Sequence, residues 1–311
     1  MRCKKRLYGR KLKRQRKIII LGLVFFLFCF SCGYAAFSTT IDMSVKGNIK
    51  DKSRVIKSWN DTSDEDFHTD FYRENIVSAT FLDSAFVPSS AVEAWDVSEI
   101  KDKGVMAYVL ESDEERGKYD LYIGAKGGVI AGVSTANLFR SFTNVKAIKF
   151  NHNFDTSKTM SMYYMFFNCV SLEELDLSDF ETSNVTNMGG MFEQNKSLKT
   201  LDISSFNTSK VKLMWWMFHG CKSIETLQLN NFDTSNVINM ASMFGECANL
   251  KRLDLCSFNT KNVINMSYMF SYLTNIDSIK VGDGWNDTLA DTSFMFTGSN
   301  ISSITKDKCD S

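Results

Sequence analysis

The sequence predicts a repeat solenoid built of short parallel strands and short helical turns, with a small β-rich N-terminal cap. Three observations predict it. Met-Phe pairs stand at Met165-Phe166, Met191-Phe192, Met217-Phe218, Met243-Phe244, Met269-Phe270 and Met295-Phe296, each 26 residues from the last. A fixed period of that length marks one small unit copied and stacked. Aliphatic columns keep the same beat: Leu172, Leu198, Ile224, Leu250, Ile276; Leu175, Leu201, Leu227, Leu253, Ile279; Leu177, Ile203, Leu229, Leu255, Val281. Phe180, Phe206, Phe232 and Phe258 recur as well, each followed two residues later by Thr182, Thr208, Thr234 or Thr260.

Taken in order, the chain opens on a basic leader. Residues 2–17 hold ten Lys or Arg and no acid, an apolar run follows from Ile18 to Phe30, and small residues follow that. This is the order of an export signal. The expectation for residues 1–37 is a signal peptide cut near Ala35 or Ala36, or, uncut, a transmembrane anchor over residues 18–37. The stretch from Gly33 to Ile41 resembles the signal region of bacterial surface proteins. Ten of the 36 basic residues lie in the leader, so beyond residue 17 there are 26 basic against 36 acidic side chains. An acidic exported part argues against nucleic acid and anionic membrane as partners.

Residues 38–70 are polar, charged and weakly periodic, which suits a linker. Residues 71–137 then show strand signals at Ile76 to Leu82, Val105 to Leu110 and Tyr119 to Ile123. A charged, Gly117-containing turn makes the last two a hairpin. A stacked array needs its first apolar face covered, and this stretch is placed to be that N-terminal cap. The array itself is expected over residues 138–305, with a tail at 306–311.

Within a unit, Leu175 and Leu177 alternate with polar neighbours as in a strand. Val185, Met188, Met191 and Phe192 have the spacing of one or two helical turns, with Ser183, Ser209 and Ser235 placed to cap them. Thr156, Thr182, Thr208, Thr234 and Thr260, and Asn187, Asn239 and Asn265, read as side chains bonding backbone at the bends.

The unit Met-Phe-x-x-Cys-x-Ser-Leu-x-x-Leu-Asp-Leu-Ser-x-Phe-x-Thr-Ser-x-Val-x-Asn-Met, clearest in residues 165–188 and 217–240, resembles the repeat of BspA-like leucine-rich-repeat bacterial surface proteins. The resemblance covers roughly residues 76–305. It implies a leucine-rich-repeat-like fold and a non-enzymatic cell-surface or secreted protein used in adhesion or protein binding. The chain departs from the leucine-rich pattern at Phe180, where Asn or Cys is usual, and at Thr182, where Leu is usual.

No chemistry-bearing constellation emerges. His68, His152 and His219 are scattered and Cys-x-x-Cys is absent, so neither a catalytic site, a metal site nor a cofactor is expected. Cys169, Cys221 and Cys247 share a column. They read as buried thiols, with a Cys221–Cys247 bridge as the other reading. Two surfaces are candidates for binding. The strand face carries Asp176, Asp202 and Asp254 in one column. The outer turn carries Tyr163, Tyr164, Trp215, Trp216 and Tyr268, large rings of the kind that anchor contacts. The expected partner is a protein or glycan on a host or neighbouring cell, with the membrane a second partner only if the leader stays attached. The other reading of function is a structural envelope or matrix component without a specific ligand.

Overall fold

Alternating burial along β1 (Ile76–Leu82) places Ile76, Ala79 and Phe81 in the interior. The computed structural model describes residues 52–60, 62–306 and 309. The expected leader at 1–37, and the chain up to residue 51, lie outside the described residues. No helix among the described residues is long and apolar enough to cross a membrane.

β1 is an inner strand of a five-stranded sheet. β2 (Glu93–Asp96), β3 (Val105–Glu111) and β4 (Tyr119–Ala125) form an antiparallel run. Gly117 turns the β3–β4 hairpin at φ 77°, the left-handed region that glycine enters without strain. β1 pairs in parallel with β4 on one side and with β6 (Ala147–Lys149) on the other, after the short β5 (Val129–Ile130). The strand order is β2-β3-β4-β1-β6.

Residues 52–70 do more than link. A 3-10 turn (Asp66–His68) and α1 (Asp70–Arg73) fold within or beside them. Ile56, Trp59, Phe67 and His68 are buried in the core, and Trp59 stacks on His68 at 4.4 Å between ring centroids. Ser58 Oγ donates to the Ser134 carbonyl at 2.7 Å. His68 Nε2 bonds the Leu138 carbonyl at 2.9 Å. These bonds satisfy backbone acceptors at the start of the repeat region, acceptors that every later unit offers to the unit before it. The polar composition of residues 52–70 hid this role.

In the repeat region the strands are very short: β7 (Phe154–Asp155), β8 (Glu174–Asp176), β9 (Thr200–Asp202), β10 (Arg252–Leu255), β11 (Ser278–Val281) and β12 (Thr305–Lys306). They form sheets β8-β9, β10-β11-β12 and β5-β7, all parallel. Single parallel bridges run Ser161, Asn187, Leu213, Asn239, Asn265, Asp291, each 26 residues from its neighbour.

This corrects the expected leucine-rich-repeat-like solenoid with helical turns. The described residues form small β-sheets and bridges with almost no helix, and the stretch from Val185 to Phe192 contains none. The reason lies in the backbone. N–H groups of Met162, Tyr164, Phe166 and Asn168 donate sideways to the carbonyls of Asn187, Gly189, Met191 and Glu193 at 2.8–3.1 Å. Tyr164 and Asn168 have φ of 53° and 60°. An α-helix needs those N–H groups for its own turns and a right-handed backbone throughout. The residues in between close tight turns instead, such as Met165 N–H to Met162 O at 3.2 Å. Ser183, Ser209 and Ser235 therefore cap no helix. Their N–H groups bond the side chains of Glu181, Asn207 and Asp233.

The interior is a file of rings. Phe139, Phe166, Phe192, Phe218, Phe244 and Phe270 stack face to face at 5.6–6.0 Å with interplanar angles of 3–12°. Thr182 and Thr234 each donate to a carbonyl and accept an N–H of the next unit, at Asn207 and Asn259. The Asn187, Asn239 and Asn265 side chains close their own bends on the N–H two residues on.

Candidate functional site: an aromatic ledge and two exposed apolar rows

Two adjacent glycines position the ledge. A Cβ on Gly190 would lie 2.0 Å from the Tyr164 ring, and one on Gly189 would lie 2.8 Å from Trp215. Gly190 also sits at φ 59°. Bare backbone here lets the ring of the preceding unit and the indole of the following one close over it. Tyr163 stacks on Tyr164 at 4.1 Å and meets Trp215 at 5.5 Å. Trp216 packs edge-on against Trp215 at 5.1 Å. The Arg140 guanidinium lies over Tyr164 and Phe167, 4.9 and 4.8 Å from the ring centres, a cation–π arrangement.

The expected outward-pointing rings are thus divided. Tyr164 is only 8% exposed and serves as packing, Tyr163 and Trp215 are half-buried, and Trp216 and Tyr268 are exposed. Tyr268 stacks on Phe294 at 5.0 Å.

Beside the ledge lies Glu193, buried, with Oε2 lacking any hydrogen-bond partner. Burial pushes its carboxyl up to about 7, against the Tyr164 hydroxyl and Arg140, which favour the charged form. Burial also lowers His219, whose Nε2 lies 3.8 Å from Glu246.

Two rows of large apolar side chains reach solvent. One is Met160, Ile238 and Ile264, in a column shared with Thr186 and Lys212. The other is Trp216, Tyr268 and Phe294, with Tyr272 next to it. Ile238, Ile264 and Tyr272 went unread in the sequence because a single exposed apolar residue carries no signal; only the shared column does.

The strand-face acids have a local task. Asp176 and Asp202 are exposed, and each accepts the N–H of the Ser two residues on at 2.9 Å; Asp254 does the same for Cys256. These Asx turns end the strands. The Ser178 bonds hold the Asp176 carboxyl below its usual range. The spacing Asp-x-Ser was the available signal. An open groove of about 640 Å³ adjoins Asp176, lined by Lys146, Glu173 and Glu174 among others.

Cys169, Cys221 and Cys247 are free, buried thiols that donate to the carbonyls of Phe139, Phe192 and Phe218 at 3.0–3.1 Å. Burial raises all three, Cys247 to about 12, so they stay protonated and unreactive. Cys256 and Cys309 form a disulfide, which the sequence reading did not pair. Among the described residues no group of three His, Cys, Asp or Glu is placed to hold a metal ion.

No curated protein and no solved structure matches the chain. A family model described as "Mycoplasma protein of unknown function, DUF285" matches residues 133–228 and 199–307. This corrects the resemblance to BspA-like leucine-rich-repeat proteins. The columns that suggested it mark stacked units in general, whereas Phe180 and Thr182 break the leucine-rich pattern itself and sit buried within the packing. The two matches together span residues 133–307, more than half of the sequence, and the chain belongs to the family described as Mycoplasma protein of unknown function, DUF285.

Proposed function

We propose that this chain is a non-catalytic binding protein of the cell surface, and that its turn face docks onto a protein of a neighbouring or host cell. The observation that carries the reading is the pair of exposed apolar rows. Trp216, Tyr268 and Phe294 share one repeat column and Met160, Ile238 and Ile264 another, and all six reach solvent, while the interior is already filled by the Phe file. Ordered aromatic and aliphatic side chains left in water are the material of contact hot spots. Protein is favoured over glycan because Ile238, Ile264 and Met160 add aliphatic area that a sugar face does not need. The Cys256–Cys309 bridge accords with an oxidising location.

The test uses beads coated with the purified chain, bound to cell monolayers with and without prior trypsin treatment. Trp216→Ala combined with Tyr268→Ala is expected to weaken binding at least ~10-fold, the loss of one hot spot. Asp202→Ala should leave it unchanged. Trypsin-resistant, periodate-sensitive adhesion would replace protein by glycan. Absence of saturable binding would favour the structural envelope component.

A further inference from the structure

We infer that the Glu193 carboxyl is a proton switch for the aromatic ledge, closing it when protonated and loosening it when ionised. The inference rests on the binding reading above and adds its regulation. Glu193 is 8% exposed, and its Oε2 has no hydrogen-bond donor. A neutral carboxyl tolerates that position. An ionised one leaves a charge out of water with an oxygen unsatisfied, a state that the surroundings must relieve.

The groups facing it decide how. Tyr164 supports the carboxylate through its hydroxyl and Arg140 through its charge; Glu246 opposes it. Cys221, from the following unit, feels the Glu193 charge but stays protonated through burial. Glu246 is itself engaged, with His219 and Lys222 each 3.8 Å away. Arg140 favours the ionised form through its charge; its guanidinium donates to Asn137 Oδ1 at 3.3 Å and lies on the faces of Tyr164 and Phe167. Drawing Arg140 or water towards Oε2 disturbs the Tyr164 ring between Arg140 and Gly190. Tyr163 and Trp215 pack on that ring, and Trp216 packs on Trp215. The displacement reaches the exposed indole through two ring contacts, Tyr164 to Trp215 and Trp215 to Trp216. Glu193 has the same burial-driven shift towards neutrality noted above, which puts the change in a physiological range.

The full chain is titrated from pH 5.5 to 8.5 while tryptophan fluorescence is followed. A one-proton transition near neutral pH is expected. It should vanish in Glu193→Gln, and its amplitude should vanish in Trp215→Phe with Trp216→Phe. Arg140→Met, which removes the cation that favours the charged form, should move the midpoint upward, and this variant serves if Glu193→Gln does not fold. No transition in the unaltered chain overturns the switch. So does one that persists in Glu193→Gln, which would belong to His219, or a midpoint unmoved by Arg140→Met. Because the readout needs no partner, it stands apart from bead binding. A transition without any effect of Trp216→Ala on adhesion would retain the switch and remove the docking face. Where both hold, adhesion should fall several-fold between pH 6 and pH 8, and Glu193→Gln should abolish that fall.

Discussion

Gly190 shows how much one missing side chain decides. Its φ of 59° disfavours any Cβ, and the Tyr164 ring occupies the space where a Cβ would go. Gly190→Ala is expected to cost about 1–3 kcal/mol, above the ordinary left-handed penalty, because the ring must also move. Thermal unfolding checks it, and a variant as stable as the parent would show that the ledge is not wedged there. Two buried groups tilt stability against pH in opposite senses. His68 is held down to about 3 by burial, below its ordinary 6.5, so its contribution is intact above 6.5 and is lost as pH falls towards 3. Glu193 is raised from 4.5 to about 7, so its contribution is intact below 4.5 and is lost as pH rises through 7. Glu193→Gln should recover about 2–3 kcal/mol at pH 8 relative to pH 4.5, as unfolding by urea at both pH values would show. Equal effects at both pH values would deny the shift.

At the scale of the element, a unit's place in the stack matters more than its sequence. Phe218 and Phe294 are both aromatic residues of the turn segment, yet Phe218 is fully buried between Phe192 and Phe244 and Phe294 is 61% exposed. Phe218→Ala should cost about 3–5 kcal/mol, while Phe294→Ala should cost under ~1. Leu289 makes the point again. It continues the column Val185, Val211, Val237, Val263, whose members are at most 1% exposed, but it is itself 79% exposed. The N–H groups of Met266, Tyr268, Phe270 and Tyr272 donate to the last unit at 2.8–3.0 Å. Those of Thr292, Phe294, Phe296 and Gly298, next in register, have no such partner among the described residues. Hydrogen exchange should therefore be far faster at these four amides than at the preceding four. Comparable protection would mean that the last unit is covered.

At the scale of the whole molecule, the two ends of the repeat region are treated differently. At the N-terminal end Ser58 and His68 reach over the first carbonyls and the five-stranded sheet takes up β6. At the other end a covalent clasp takes over: Cys256–Cys309 holds the chain that carries β12 onto β11. Replacing both cysteines by serine should lower stability by about 2–4 kcal/mol, the usual worth of a disulfide closing a loop of this size. Chemical denaturation under oxidising and reducing conditions gives the same comparison without a variant, and no difference would mean that the bridge adds nothing.

Much of the core was legible in advance, because burial repeats whatever the backbone does. The Phe file from Phe166 onward, the Leu columns, the Thr and Asn bends and the buried thiols all follow from side chains recurring at multiples of 26 residues. Periodicity tells which residues face inward. It does not tell which way an N–H points, and that is what separates a helical turn from a sideways ladder. The alternation of right- and left-handed residues at Tyr164 and Asn168 has no compositional mark, since Tyr, Trp, Ser, Gly and Phe all occupy the first of these positions. Only the neighbouring unit, by accepting those N–H groups, selects it. The same holds for the site. Trp215 and Tyr163 stand 52 residues apart, two repeats along one column, so the sequence sets them on the same turn; only stacking across the two glycines brings their rings to 5.5 Å.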